Sequence, residues 1–101
     1  MKKLIISDKI LSSNGELPIT ENVVGISITC LGDVQLNYSW NDNNKNTPLI
    51  EGESRSFGGF DQYTIGGNKL YYAFDTSGTT KSVLVTIFAV SSEEAQLPKT
   101  C

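Results

Sequence analysis

The 101-residue chain contains no histidine, which removes the commonest general base and metal ligand at neutral pH. No Ser-His-Asp triad, Cys-His pair or histidine-containing zinc site can be built within it. Enzymes that rely on carboxylates alone need a deep cleft, which a small sheet protein struggles to enclose. No catalytic residue is therefore assigned, and a non-enzyme is expected. Clustered positive charge is also missing: eight Lys and Arg stand against eleven Asp and Glu, for a net charge of -3, and only Lys2 and Lys3 are adjacent. A protein that reads nucleic-acid backbones needs a basic face to displace counterions, so nucleic acid is excluded as a partner.

Long apolar runs are lacking too. Leu4-Ile5-Ile6 follows Lys2-Lys3 in the manner of an export signal, but Ser7, Asp8 and Lys9 cut the run too early for such a segment or a membrane span. The expectation is a mature N-terminus, no membrane partner, and a first strand over either Lys3 to Ile6 or Lys9 to Leu11. Two cysteines are too few for a disulfide framework. Cys30 continues an apolar row and reads as a small buried hydrophobe, whereas Cys101 ends a polar tail.

What the chain does have is period-two patterning. Val24, Ile26, Ile28 and Cys30 share one parity, and Val34, Leu36, Tyr38 and Trp40 keep it after a break at Gly32-Asp33. Such alternation sends one row into a core and the other into water, as a half-buried antiparallel sheet requires. A local hairpin of Val23–Cys30 with Val34–Trp40 is expected. Two more are expected across Gly66-Gly67-Asn68 (Phe60–Ile65 with Lys69–Phe74) and across Asp75–Thr80 (Leu70–Phe74 with Ser82–Val90). Leu17-Pro18-Ile19 reads as a short edge piece because Pro18 cannot donate to a central ladder. Ser54–Phe57 reads as a brief strand. No window sustains a helical stripe. The fold class is thus all-β: one small antiparallel β-sandwich over residues 1–101, jelly-roll or immunoglobulin-like, with a small barrel as runner-up. From about residue 91 a tail is expected, flexible or docked, with a short helix opening at Ser91 or Ser92.

Ser82–Val90 departs from the alternation. Val83, Val85, Ile87 and Ala89 form one row, yet Leu84, Phe88 and Val90 make the other row apolar as well. A strand with two apolar faces needs cover on both, from the chain's own termini or from another subunit. Gly25 and Ser27 leave a shallow outer row on their strand that another element can approach. Gly25, Ser27, Leu84, Phe88 and Val90 are accordingly the candidate interface residues.

Asn41–Pro48 is the longest polar stretch and reads as an exposed loop. Counting from Asp42, oxygen-bearing side chains fall at Asp42, Asn44 and Asn46, and Glu53 takes the twelfth place of a calcium loop. Thr47 stands where that loop needs glycine and the flanks are strand-like, so no metal or other cofactor is assigned. Tyr71 lies on the row opposite Leu70, Tyr72 and Phe74 and is the aromatic expected at the surface. With Asp42 and Asn44 it forms the candidate ligand contact of an alternative function, a carbohydrate-binding or adhesive module. Tyr38, Trp40 and Tyr72 are expected in the core, with their polar atoms reaching its rim.

Asp33–Tyr38, then Thr47-Pro48-Leu49-Ile50-Glu51-Gly52-Glu53-Ser54, then Ser82–Thr86 resembles the small β-sandwich accessory proteins of tailed bacteriophage particles. The resemblance covers the central and C-terminal two thirds of the chain. It implies a non-enzymatic virion component, a capsid decoration or head-tail accessory protein assembled in the host cytoplasm. Its partner would be a capsid or other virion protein, with homo-oligomerisation through the sheet surface a second implication.

Overall fold

The computed structural model describes residues 3–59, 64–76 and 78–91. They form eight strands: β1 (Lys3–Leu11), β2 (Gly15–Pro18), β3 (Val23–Cys30), β4 (Leu36–Trp40), β5 (Thr47–Leu49), β6 (Ser54–Gly58), β7 (Lys69–Phe74) and β8 (Val83–Ser91). Two four-stranded antiparallel sheets result, ordered β1-β8-β3-β6 (sheet A) and β2-β7-β4-β5 (sheet B). The sandwich is open, not a barrel. Successive strands change sheet at every connection except β4 to β5, which is the jelly-roll order of two Greek keys. An immunoglobulin sandwich would instead keep its first two strands in one sheet.

The alternation is fully used. Ile26, Ile28 and Cys30 of β3 meet Val83 and Val85 of β8 on the inner side of sheet A. From sheet B, Leu36 and Tyr38, Leu49, and Leu70, Tyr72 and Phe74 are buried in the same cluster. Cys30 is fully buried and free, and burial pushes its thiol pKa up. Cys101, the tail and its expected helix lie outside the described residues, apart from the backbone of Ser91, which ends β8.

Two of the three expected hairpins are corrected: β3 and β4 lie in different sheets, as do β7 and β8, and β7 is flanked by β2 and β4. The Phe60–Ile65 arm of the third lies, over residues 60–63, outside the described residues. Gly32-Asp33 and the 75–82 segment are therefore corners between sheets, and the two corners are bonded together. Leu31 and Gly32 donate their N–H groups to Ser82 O, and Val34 donates to Thr80 O. The apolar rows of β3 and β4 face each other across the core instead of lying side by side. Among the described residues the one local hairpin is β4–β5, closed by the Asn41–Asn46 loop.

β4 begins at Leu36 instead of Val34, and β2 spans Gly15–Pro18 instead of Leu17–Ile19. β1 runs unbroken through Ser7-Asp8-Lys9, because a strand paired on one side only tolerates polar residues on both faces. A register shift between Val23 and Gly25 places Val23 in the core and leaves Val24 half-buried, so the expected inward row begins one residue off.

Asp33 staples the paired corners. Its Oδ1 accepts from the N–H groups of Thr79 (2.9 Å) and Thr80 (2.7 Å), and its Oδ2 accepts from Thr79 Oγ1 (3.1 Å). The backbone N–H groups of Thr80 and Thr79 hold its carboxyl pKa below the ordinary value. A depressed carboxyl pKa stabilises the fold above the unfolded-state value of about 4, and the contribution fades as pH falls through the folded-state value. Asp33→Asn is expected to lower Tm at neutral pH, with the two melting curves converging in acid. Thermal scans along a pH series check this, and a Tm difference independent of pH would contradict it.

Candidate functional site

Pairing fixes which side chains share a surface. On the outer side of sheet A, β1 contributes Leu4, Ile6, Asp8 and Ile10, and β8 contributes Val90, Phe88, Thr86 and Leu84 in register with them. β3 adds Gly25, Ser27 and Thr29, and β6 adds Gly58, Ser56 and Ser54. Half of the face is thus large and apolar, and the other half is glycine, serine and threonine. Leu4, Ile6 and Ile10 are 52%, 58% and 54% exposed. Among the described residues, no strand is stacked on this side. β1 and β3 flank β8 within the layer, and Leu84, Phe88 and Val90 are half-buried.

The five candidate interface residues fall on this one face. Ser27 is half-buried beside Ser56, whose Oγ donates to it at 3.5 Å. Gly25 is buried, and the element that approaches it belongs to its own chain: a Cβ there would stand 3.3 Å from Gly59 N. Sequence reasoning missed Leu4, Ile6 and Ile10. Period-two parity on β1 would have found them, had the strand been read through Asp8.

The other candidates lie on sheet B. Tyr71 is half-buried on its outer side, opposite Ser39 of β4 and Glu16 of β2. Lys69 Nζ sits 5.8 Å from the Tyr71 ring centroid and pairs with Glu16 Oε1 at 2.8 Å. The Glu16 carboxylate raises the Lys69 pKa. The ring is therefore engaged by its own chain. Asp42 and Asn44 are tied into their loop as well: Asn44 N–H donates to Asp42 Oδ1, and Ser39 Oγ donates to Asp42 O and accepts from Lys45 N–H. Glu53 Oε1 accepts from Ile50 N–H in the next turn, away from any calcium-loop role. Among the described residues, no three His, Cys, Asp or Glu side chains gather in a metal-binding group.

Two cavities are lined by described residues. One, of about 200 Å³, is lined by Trp40, Phe57, Ile65 and Asn68. Trp40 packs edge-on to Phe57 at 5.2 Å, and its Nε1 is buried without a partner instead of reaching the rim. Tyr38, by contrast, accepts from Arg55 Nη1 at 3.3 Å. The second, of about 330 Å³, opens between the sheets where short β2 fails to reach over β1, with Ser7, Lys9, Ile19, Val23, Ile87 and Ala89 among its walls. Neither holds a paired nucleophile and base. Comparison with family models, curated proteins and solved structures finds no match to the chain.

Proposed function

We propose that this is a non-enzymatic assembly protein that works by burying the outer face of sheet A, as a virion accessory or capsid decoration component does. The observation that carries the reading is that, among the described residues, Leu4, Ile6 and Ile10 stand more than half exposed beside half-buried Leu84, Phe88 and Val90 on one face of sheet A, since exposed apolar surface on a small domain marks an interaction site. Jelly rolls recur in viral capsid proteins and in lectins, which is support at the level of fold alone. The carbohydrate-binding alternative draws on the same likeness, but its Tyr71 ring is taken up by Lys69 and its loop carboxylate by the loop backbone. Assembly is therefore the preferred function, with a capsid or other virion protein as partner and the particle as location. Particles banded by density from the producing culture and probed with an antibody against the chain are expected to carry it. Recovery only from the soluble fraction would overturn the virion reading.

A further inference from the structure

The outer face of sheet A is lopsided row by row. Ile6 and Phe88 share a row with Gly25 and Gly58; Ile10 and Leu84 share another with Thr29 and Ser54. Asp8, Thr86, Ser27 and Ser56 run between them. Each row descends from large side chains on β1 and β8 to small or absent ones on β3 and β6.

We infer that the occupant of this face is a second copy of the chain, docked face to face about a two-fold axis parallel to the strands and midway between β8 and β3. This deepens the assembly reading and rests on it. Rotation about that axis keeps every residue at its position along the strand and exchanges β8 with β3 and β1 with β6. Ile6 of one copy then comes over Gly58 of the other, Phe88 over the row of Gly25, which its own chain already buries, and Ile10 and Leu84 over Ser54 and Thr29. Isologous interfaces require such self-complementarity, a raised half matched to the lowered half of the same patch.

Charge agrees with this axis. Asp8 is the one charged residue on the face among the described residues, and Thr86 Oγ1 already donates to it at 2.7 Å. The rotation brings the neutral Ser56, not a charged residue, opposite it. The two copies' Asp8 residues fall on opposite edges of the interface, three strand spacings or about 14 Å apart. A two-fold across the strands would instead stack β1 on β1 and bring the aspartates together. Strands of nine, nine, eight and five residues, at about 4.8 Å by about 3.3 Å per residue, make a face on the order of 500 Å² before side-chain relief. That flat area is roughly three fifths of the 800 Å² per partner of a standard interface.

Sedimentation equilibrium of the full chain is expected to give twice the 11.0 kDa monomer mass. Ile6→Asp removes a raised contact, and Ser56→Trp fills the lowered half of the face. Each is expected to weaken dimerisation on the order of a hundredfold, the scale of a hot-spot truncation. Both sites are exposed, and circular dichroism confirms that the variants fold. Pro48→Ser, on the outer side of sheet B, is expected to leave the dimer intact. A wild-type monomer at every concentration overturns the inference. So does a dimer lost in Ile6→Asp but kept in Ser56→Trp, which would assign pairing along the free edge of β1. The particle assay is independent: a monomer found in particles overturns the dimer and leaves the virion reading standing, whereas a dimer absent from particles overturns the virion reading and leaves the dimer standing.

Discussion

Gly32→Ala is expected to cost about 3 kcal/mol and to lower Tm by about 15 °C, measured by denaturant and thermal unfolding. A Cβ at Gly32 would meet Thr80 O at less than van der Waals distance, with Thr80 C 2.9 Å and Ser82 N 3.1 Å away. All three are backbone atoms, so no side-chain rotation relieves the overlap. The corners must separate, which strains or breaks the bonds from Leu31, Gly32 and Val34 to Ser82 O and Thr80 O. Those corners carry the chain between the sheets, so the damage spreads to the ends of β3, β4 and β8. Gly52→Ala provides the contrast. Nothing lies within 4 Å of its Cβ position, and the cost there is the left-handed φ of 84° alone, about 1 kcal/mol. Equal losses at the two positions would show that the corner contact is not what makes Gly32 necessary.

The same corner shows how far the sequence could be read. Alternation specifies which way each side chain faces, and the buried rows of β3, β4, β7 and β8 follow it apart from the shift at Val23 and the end of β4, where Ser39 is buried and Trp40 half-buried. Parity does not specify a partner, because a strand whose inner row faces a core satisfies its pattern equally in either sheet. Gly32-Asp33 and the 75–82 segment carry the glycine, aspartate and serine of hairpin turns, but what uses them is long-range. Asp33 bonds to Thr79 and Thr80, and Gly32 touches Thr80, contacts between segments more than forty residues apart that no local window contains. The surface was more legible than the pairing. Leu84, Phe88 and Val90 stood out because an apolar outer row breaks a rule of local pattern. That Ser27 lies on the same face depends on the Ser27–Thr86 pairing, which only the tertiary register supplies.

Inner and outer rows of the same strand pair are expected to separate stability from assembly. Ile28 is fully buried at the centre of sheet A, in register with Val85 of β8 and Arg55 of β6. Ile28→Ala removes three buried carbons where the flanking strands are fixed by ladders on both sides, so the space collapses only in part. A loss of about 3.5 kcal/mol is expected, a large fraction of the 5–15 kcal/mol typical of a domain. Ile6→Ala deletes the same atoms from a side chain 58% exposed, and the loss in monomer stability is expected to stay below about 0.5 kcal/mol. Their order reverses in dimerisation. Ile28→Ala, folded below its lowered midpoint, keeps the face on which Ile6 and Phe88 stand and should dimerise as wild type does. Ile6→Ala should dissociate more readily while melting, as a monomer, almost unchanged. Chemical unfolding at low protein concentration and sedimentation at high concentration measure the two quantities apart. If Ile6→Ala destabilised the isolated monomer as much as Ile28→Ala, Ile6 would be a core residue of the single chain and the outer face of sheet A would not be an interface.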